Sequence, residues 1–84
     1  MPWEIERIKC NGNTCDRAVE IVESEEIALN TIFHELPWYR VGEQHFVGDA
    51  EPLAYEEVEE MINNHFLEVV YEGANITYRL RELS

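Results

Sequence analysis

Eighteen acidic side chains stand against six basic ones in a chain of 84 residues, a formal net charge of −12, and a chain this short has room for one domain, residues 1–84, with a modest core. The cations Arg7, Lys9, Arg17, Arg40, Arg79 and Arg81 are too few for the basic patch that neutralises phosphates, which excludes direct nucleic-acid binding and disfavours an anionic membrane surface. With 45 % hydrophobic residues the chain is too apolar for disorder, and no apolar run approaches the roughly 18 residues of a membrane helix.

The chain opens Met1-Pro2-Trp3-Glu4-Ile5-Glu6, with acids where a secretory signal would carry basic residues and a long apolar run. A reducing, cytoplasmic setting is therefore expected, and two cysteines are too few for a disulfide scaffold. Trp3 to Ile8 alternates β-formers with Glu4 and Glu6, and Ala18 to Val22 mirrors it across a turn marked by Asn11-Gly12. This predicts a β-hairpin. Ser24 then caps a helix, with Glu25 and Glu26 in its first turn, where free amides favour negative charge. Ala28, Leu29, Ile32, Phe33 and Leu36 recur at helical spacing until Pro37 stops the run. Trp38 to Val47 reads as two short strands around a turn at Gly42.

Pro52 suits the first turn of a second helix. At 100° per residue, Ala54, Tyr55, Val58, Met61, Ile62, His65 and Phe66 share one arc, of which Tyr55, Val58, Met61, Ile62 and Phe66 are expected to be mostly buried, and Glu56, Glu57, Glu59 and Glu60 share the opposite, exposed one. After Asn63-Asn64 the period changes to two. Leu67, Val69 and Tyr71 alternate with polar residues, Gly73-Ala74-Asn75 turns the chain, and Ile76, Tyr78 and Leu80 alternate again. The order ββα, short hairpin, αββ predicts one α+β domain, with two helices on one face of a largely antiparallel sheet.

Cys10 and Cys15 have the spacing C-x4-C. Structural zinc usually takes four ligands, so one pair is a weak metal signal. The stretch Ile8-Lys9-Cys10-Asn11-Gly12-Asn13-Thr14-Cys15-Asp16-Arg17-Ala18, an acidic helix, then Trp38 and Gln44-His45-Phe46, resembles the small zinc-finger-like modules frequent in actinobacteria and their phages. The resemblance covers about the first 50 residues. Those modules close on a second cysteine pair, where this chain has Val47 and Ala50 around Gly48-Asp49. The resemblance thus implies a scaffold that has lost half of its metal site. Three states stay open for Cys10 and Cys15: free thiols, a cross-hairpin disulfide, or zinc held with His45 and a carboxylate. No cofactor is expected. Tyr55 to Leu83 resembles the last helix and β-wing of a winged-helix domain, but the helix face that would read DNA is here Glu56, Glu57, Glu59 and Glu60, which repel phosphate.

No phosphate loop, nucleophile elbow or His-Glu-x-x-His occurs in the sequence. His34 and His65 fall among helix residues where a packed imidazole is the ordinary case. The glutamates of the second helix form a solvated face rather than a pocket that shifts pKa, so an enzyme is not expected. Acids on nearly every element give solubility, and also imitate the phosphate rows of a duplex. The expected function is a small acidic phage-type inhibitor in the basic groove of a host nucleic-acid-handling protein: a CRISPR effector, a nuclease, a repair enzyme or a nucleoid protein. The candidate partner-binding residues are Glu25, Glu26, Glu56, Glu57, Glu59 and Glu60, with Trp38 and Tyr39 as aromatic anchors. The alternative is a degenerate zinc-finger-like or winged-helix-like adaptor without mimicry.

Overall fold

The computed structural model describes residues 1–84 and begins with two nine-residue strands, β1 (Trp3–Asn11) and β2 (Thr14–Val22), joined by Gly12-Asn13. Gly12 has φ +65°, which a two-residue hairpin turn requires and glycine adopts without strain. Asn11 and Thr14 close the ladder, so Cys10 and Cys15 fall at the next, non-hydrogen-bonded pair, with Cα atoms 4.0 Å apart. They are joined as a disulfide. Of the three open states, this is the one observed. Both strands are longer than the apolar alternation suggests, because pairing continues through the polar tip to the turn.

Ser24 Oγ accepts the Ile27 N–H at the start of α1 (Glu25–Glu35), as its position predicts. Leu36, ahead of Pro37, is already extended and ends the helix. Strands β3 (Tyr39–Val41) and β4 (Gln44–Val47) form the short hairpin around Gly42. A third strand, β5 (Leu53–Ala54), pairs with β4 to complete a three-stranded sheet. Two residues give no periodicity, so β5 has no sequence signal. Helix α2 (Tyr55–Asn63) follows at once, with the Glu57 carboxylate accepting the Ala54 N–H at its start.

His65 takes φ +67° and turns the chain into β6 (Phe66–Tyr71), which returns through Glu72-Gly73, both at positive φ, to β7 (Ala74–Glu82). The main sheet is antiparallel in the order β2-β1-β7-β6. The β6–β7 hairpin, which resembles a wing in sequence, thus supplies the centre and one edge of the sheet. The fold is α+β, with both helices on one sheet face.

That face carries the core. Ile5, Leu67, Val69, Tyr78 and Leu80 of the sheet meet Ala28, Ile32 and Leu36 from α1 and its end, Val58 and Ile62 from α2, and Val47 from β4. Only 14 of 84 residues are buried, because the main sheet is covered on one face alone and its other face is left bare. Arg7 ties the layer to the sheet, with its guanidinium on Glu35 of α1 (2.6 and 2.8 Å) and Glu20 of β2 (2.9 Å). The Glu35 hydrogen bond raises the Arg7 pKa against the opposing effect of burial.

Three residues of the apolar arc expected in the core are exposed. Tyr55, Met61 and Phe66 are 43 %, 39 % and 44 % exposed. Tyr55 and Met61 lie about 60° to either side of Val58, and a nine-residue helix on a flat sheet buries only its central line. Phe66 lies beyond the helix end, where period two sends it to the face opposite Leu67. His65, on the same arc, is half-buried beside Trp3, with ring centroids 4.9 Å apart.

Candidate functional site

Helices α1 and α2 flank a hollow of about 540 Å³ that opens to solvent. Leu29 and Ile62 line its base, and Phe33, Trp38 and Tyr55 form an aromatic wall. Phe33 and Trp38 stack with centroids 5.6 Å apart, Tyr55 meets Phe33 edge-on at 5.2 Å, and Trp38 and Tyr55 are 5.6 Å apart. The Trp38 indole N–H donates to the Phe33 carbonyl at 2.8 Å, so the ring is fixed and its polar atom is used. Glu59 stands on the rim one turn after Tyr55, and its carboxylate has no hydrogen-bond or ion-pair partner in the chain. His34 Nδ1 donates to the Asn30 carbonyl at 2.7 Å, which leaves Nε2 unshared.

The candidate residues divide accordingly. Trp38 and Glu59 meet in this hollow. Tyr39 does not join them: it leaves on β3, 40 % exposed, and stacks on Phe46. All four α2 glutamates are exposed, but they are not equivalent. Glu56 and Glu60 lie opposite the buried Val58, Glu59 flanks the hollow, and Glu57 is engaged in capping. On α1, Glu26 is exposed and Glu25 is 2.9 Å from His65 Nε2. The weak metal candidates do not converge. Cys10 and Cys15 are in the disulfide, His45 is exposed on β4, and no group of three or more histidine, cysteine or acidic residues is placed to hold a metal ion. Between β4 and β5, Val47 enters the core, Gly48 takes φ +97°, and Asp49 binds the Val70 carbonyl and the Glu72 N–H. A Cβ on Gly48 would lie 3.1 Å from the Val70 oxygen.

Register also sorts the charges by face. The bare sheet face carries Glu4, Glu6 and Glu68 against Arg17, Arg79 and Arg81, with ion pairs Glu6–Arg17 (2.5 Å) and Glu4–Arg81 (3.2 Å) and Arg79 lying over Phe66 at 5.7 Å. That face is formally neutral. The whole net charge of −12 therefore belongs to the helix side, the edges and the loops.

Phe33 and Tyr55 were absent from the candidate set, because helical spacing assigns both to the core. The available signal was that each lies on the flank of its own apolar arc, the two facing each other once the helices share a sheet face. No helix is long and apolar enough to cross a membrane. No family model, curated protein or solved structure matches the chain.

Proposed function

We propose that this protein is a small acidic inhibitor that seats its helix side in the basic nucleic-acid groove of a partner, in the manner of a phosphate mimic. The reading rests on one observation above all, the separation of charge between a neutral sheet face and the rest of the surface, the helix side, edges and loops, which together hold the −12. Solubility alone is served by acids on any surface. Here one face pairs Glu4 and Glu6 with arginine and balances its acids with as many arginines, and Glu26, Glu56 and Glu60 project unpaired from the other. Such a surface attracts lysine- and arginine-lined grooves and repels nucleic acid. The partner class is that of nucleases, CRISPR effectors, repair enzymes and nucleoid proteins.

The test begins with capture of the partner from a cell lysate. Glu26, Glu56 and Glu60 are then reversed to lysine together, leaving the capping Glu57 intact. Association is expected to slow at least tenfold at low salt while the melting temperature stays close to the parent's. Excess duplex DNA should displace the protein from the partner without binding the protein itself. A captured partner with no affinity for nucleic acid overturns the reading. So does a triple variant that associates as fast as the parent.

A further inference from the structure

We propose that the hollow between α1 and α2 is a receptor for one cationic side chain, the guanidinium of an arginine or the ammonium of a lysine, presented by the partner. That the cation belongs to a partner protein rests on the function proposed above; the affinity of the hollow for the cation does not.

The lining sets the ligand's chemistry. The faces of Phe33, Trp38 and Tyr55 carry the negative part of each ring quadrupole, which attracts a cation set against them. The rings are already ordered. Trp38 is fixed through its N–H on the Phe33 carbonyl, and all three centroids lie within 5.6 Å of one another. A ligand meets a formed surface and loses little to rearrangement. The one formally charged group on the rim is the unpaired Glu59 carboxylate; the other polar side chains there are Asn30, Asn63 and His34, whose Nδ1 is committed to the Asn30 carbonyl.

None of the chain's six cations lines the hollow. A neutral apolar guest would cover Glu59 without compensating its charge, and an anion would meet both Glu59 and the net field. A cation satisfies rings and carboxylate together. The mouth is open, whereas sites for free small molecules bury most of the ligand. A side chain carried in on a larger surface is the guest that fits. Its backbone would lie across the rim, alongside the exposed Glu56 and Glu60.

The experiment titrates the intact protein with N-acetyl-arginine amide, N-acetyl-lysine amide and the neutral isostere N-acetyl-citrulline amide, following the ring and indole resonances by NMR. Trp3, in the core, serves as the internal control. Saturable shifts of Trp38, Tyr55 and Phe33 at about millimolar concentration are expected for either cation, with Trp3 and the citrulline arm unmoved. Glu59→Gln should weaken the arginine complex at least fivefold with the circular dichroism spectrum unchanged. Tyr55→Ala, at an exposed position, should weaken it comparably. Absence of saturation, equal response to citrulline, or an unaltered Glu59→Gln titration overturns the receptor. The two proposals fail separately. Arginine binding with a captured partner that ignores nucleic acid leaves the receptor and removes the inhibitor reading. A nucleic-acid-binding partner held equally well by Glu59→Gln does the reverse.

Discussion

The Tyr78 side chain sits in the core, opposite Arg7 on β1 and Leu67 on β6, and is 6 % exposed. Burial, with a smaller contribution from the nearby Glu35 carboxylate, pushes its phenol up to about 12 from the ordinary 10, while Arg7 opposes the shift. Between those two values the folded chain keeps a proton that the unfolded chain has lost. Its stabilisation is therefore complete below pH 10 and is lost as the pH rises towards 12. Two pKa units correspond to about 3 kcal/mol at most. Urea midpoints should fall over this window, Tyr78→Phe should flatten the fall, and one of the four tyrosines should ionise after the others by ultraviolet absorbance. At the same scale, Val58, Ile62, Ala28 and Ile32 were legible as core from spacing alone. Tyr55, Met61 and Phe66 were not, because an arc drawn on a sequence has no width until a partner surface covers part of it.

Among the elements, the hairpins were the most legible, since each turn residue has one role. Gly12, Gly42 and Gly73 supply the positive φ that a two-residue turn needs. The register set by the β1–β2 turn places Cys10 directly opposite Cys15. The disulfide therefore closes a short loop that is already folded back, and its contribution is bounded by the closure entropy of that loop, about 2 kcal/mol. Reduction should lower the melting temperature by no more than about 16 °C and leave the β signal in circular dichroism intact. Collapse of the sheet on reduction would show that the bond, rather than the β1–β2 ladder, holds β2 in place. Helix α2 has a different vulnerability. No serine, threonine or aspartate caps it, and its start depends on Glu57. A charge-reversal series that includes Glu57 would therefore confuse lost helix with lost binding.

Across the whole molecule, one sheet face is neutral and everything else is acidic, and this gives salt two opposite effects. The unpaired acids of the helix side repel one another at close range in the folded state, and screening relieves that repulsion. Raising sodium chloride from about 0.05 M to about 0.5 M should stabilise the fold by roughly 1 kcal/mol, a rise of about 4–8 °C in melting temperature. The same change should slow association with a basic partner, because screening shortens the reach of each carboxylate. A protein whose acids served folding through ion pairs would lose stability with salt instead. Thermal scans and association rates in the same buffers separate the two cases.

Turn chemistry, helical spacing, the Ser24 cap, the Pro37 stop and the change of period after Asn63 are local properties, and from them follow the α+β class, the order of the main elements and the central line of each helix face. The sequence by itself also determined the sign and size of the charge. Tertiary structure alone decided which edges pair. That placed β7 between β1 and β6, sent three arginines to a single sheet face, and left the acids unbalanced on the other. It joined Cys10 to Cys15 and kept His45 apart from them. It also brought Phe33, Trp38, Tyr55 and Glu59, spread over 27 positions of chain, around one hollow. The physical reason is the same throughout: the positions that meet are set by two helices sharing one sheet face, and no local preference encodes the distance between them.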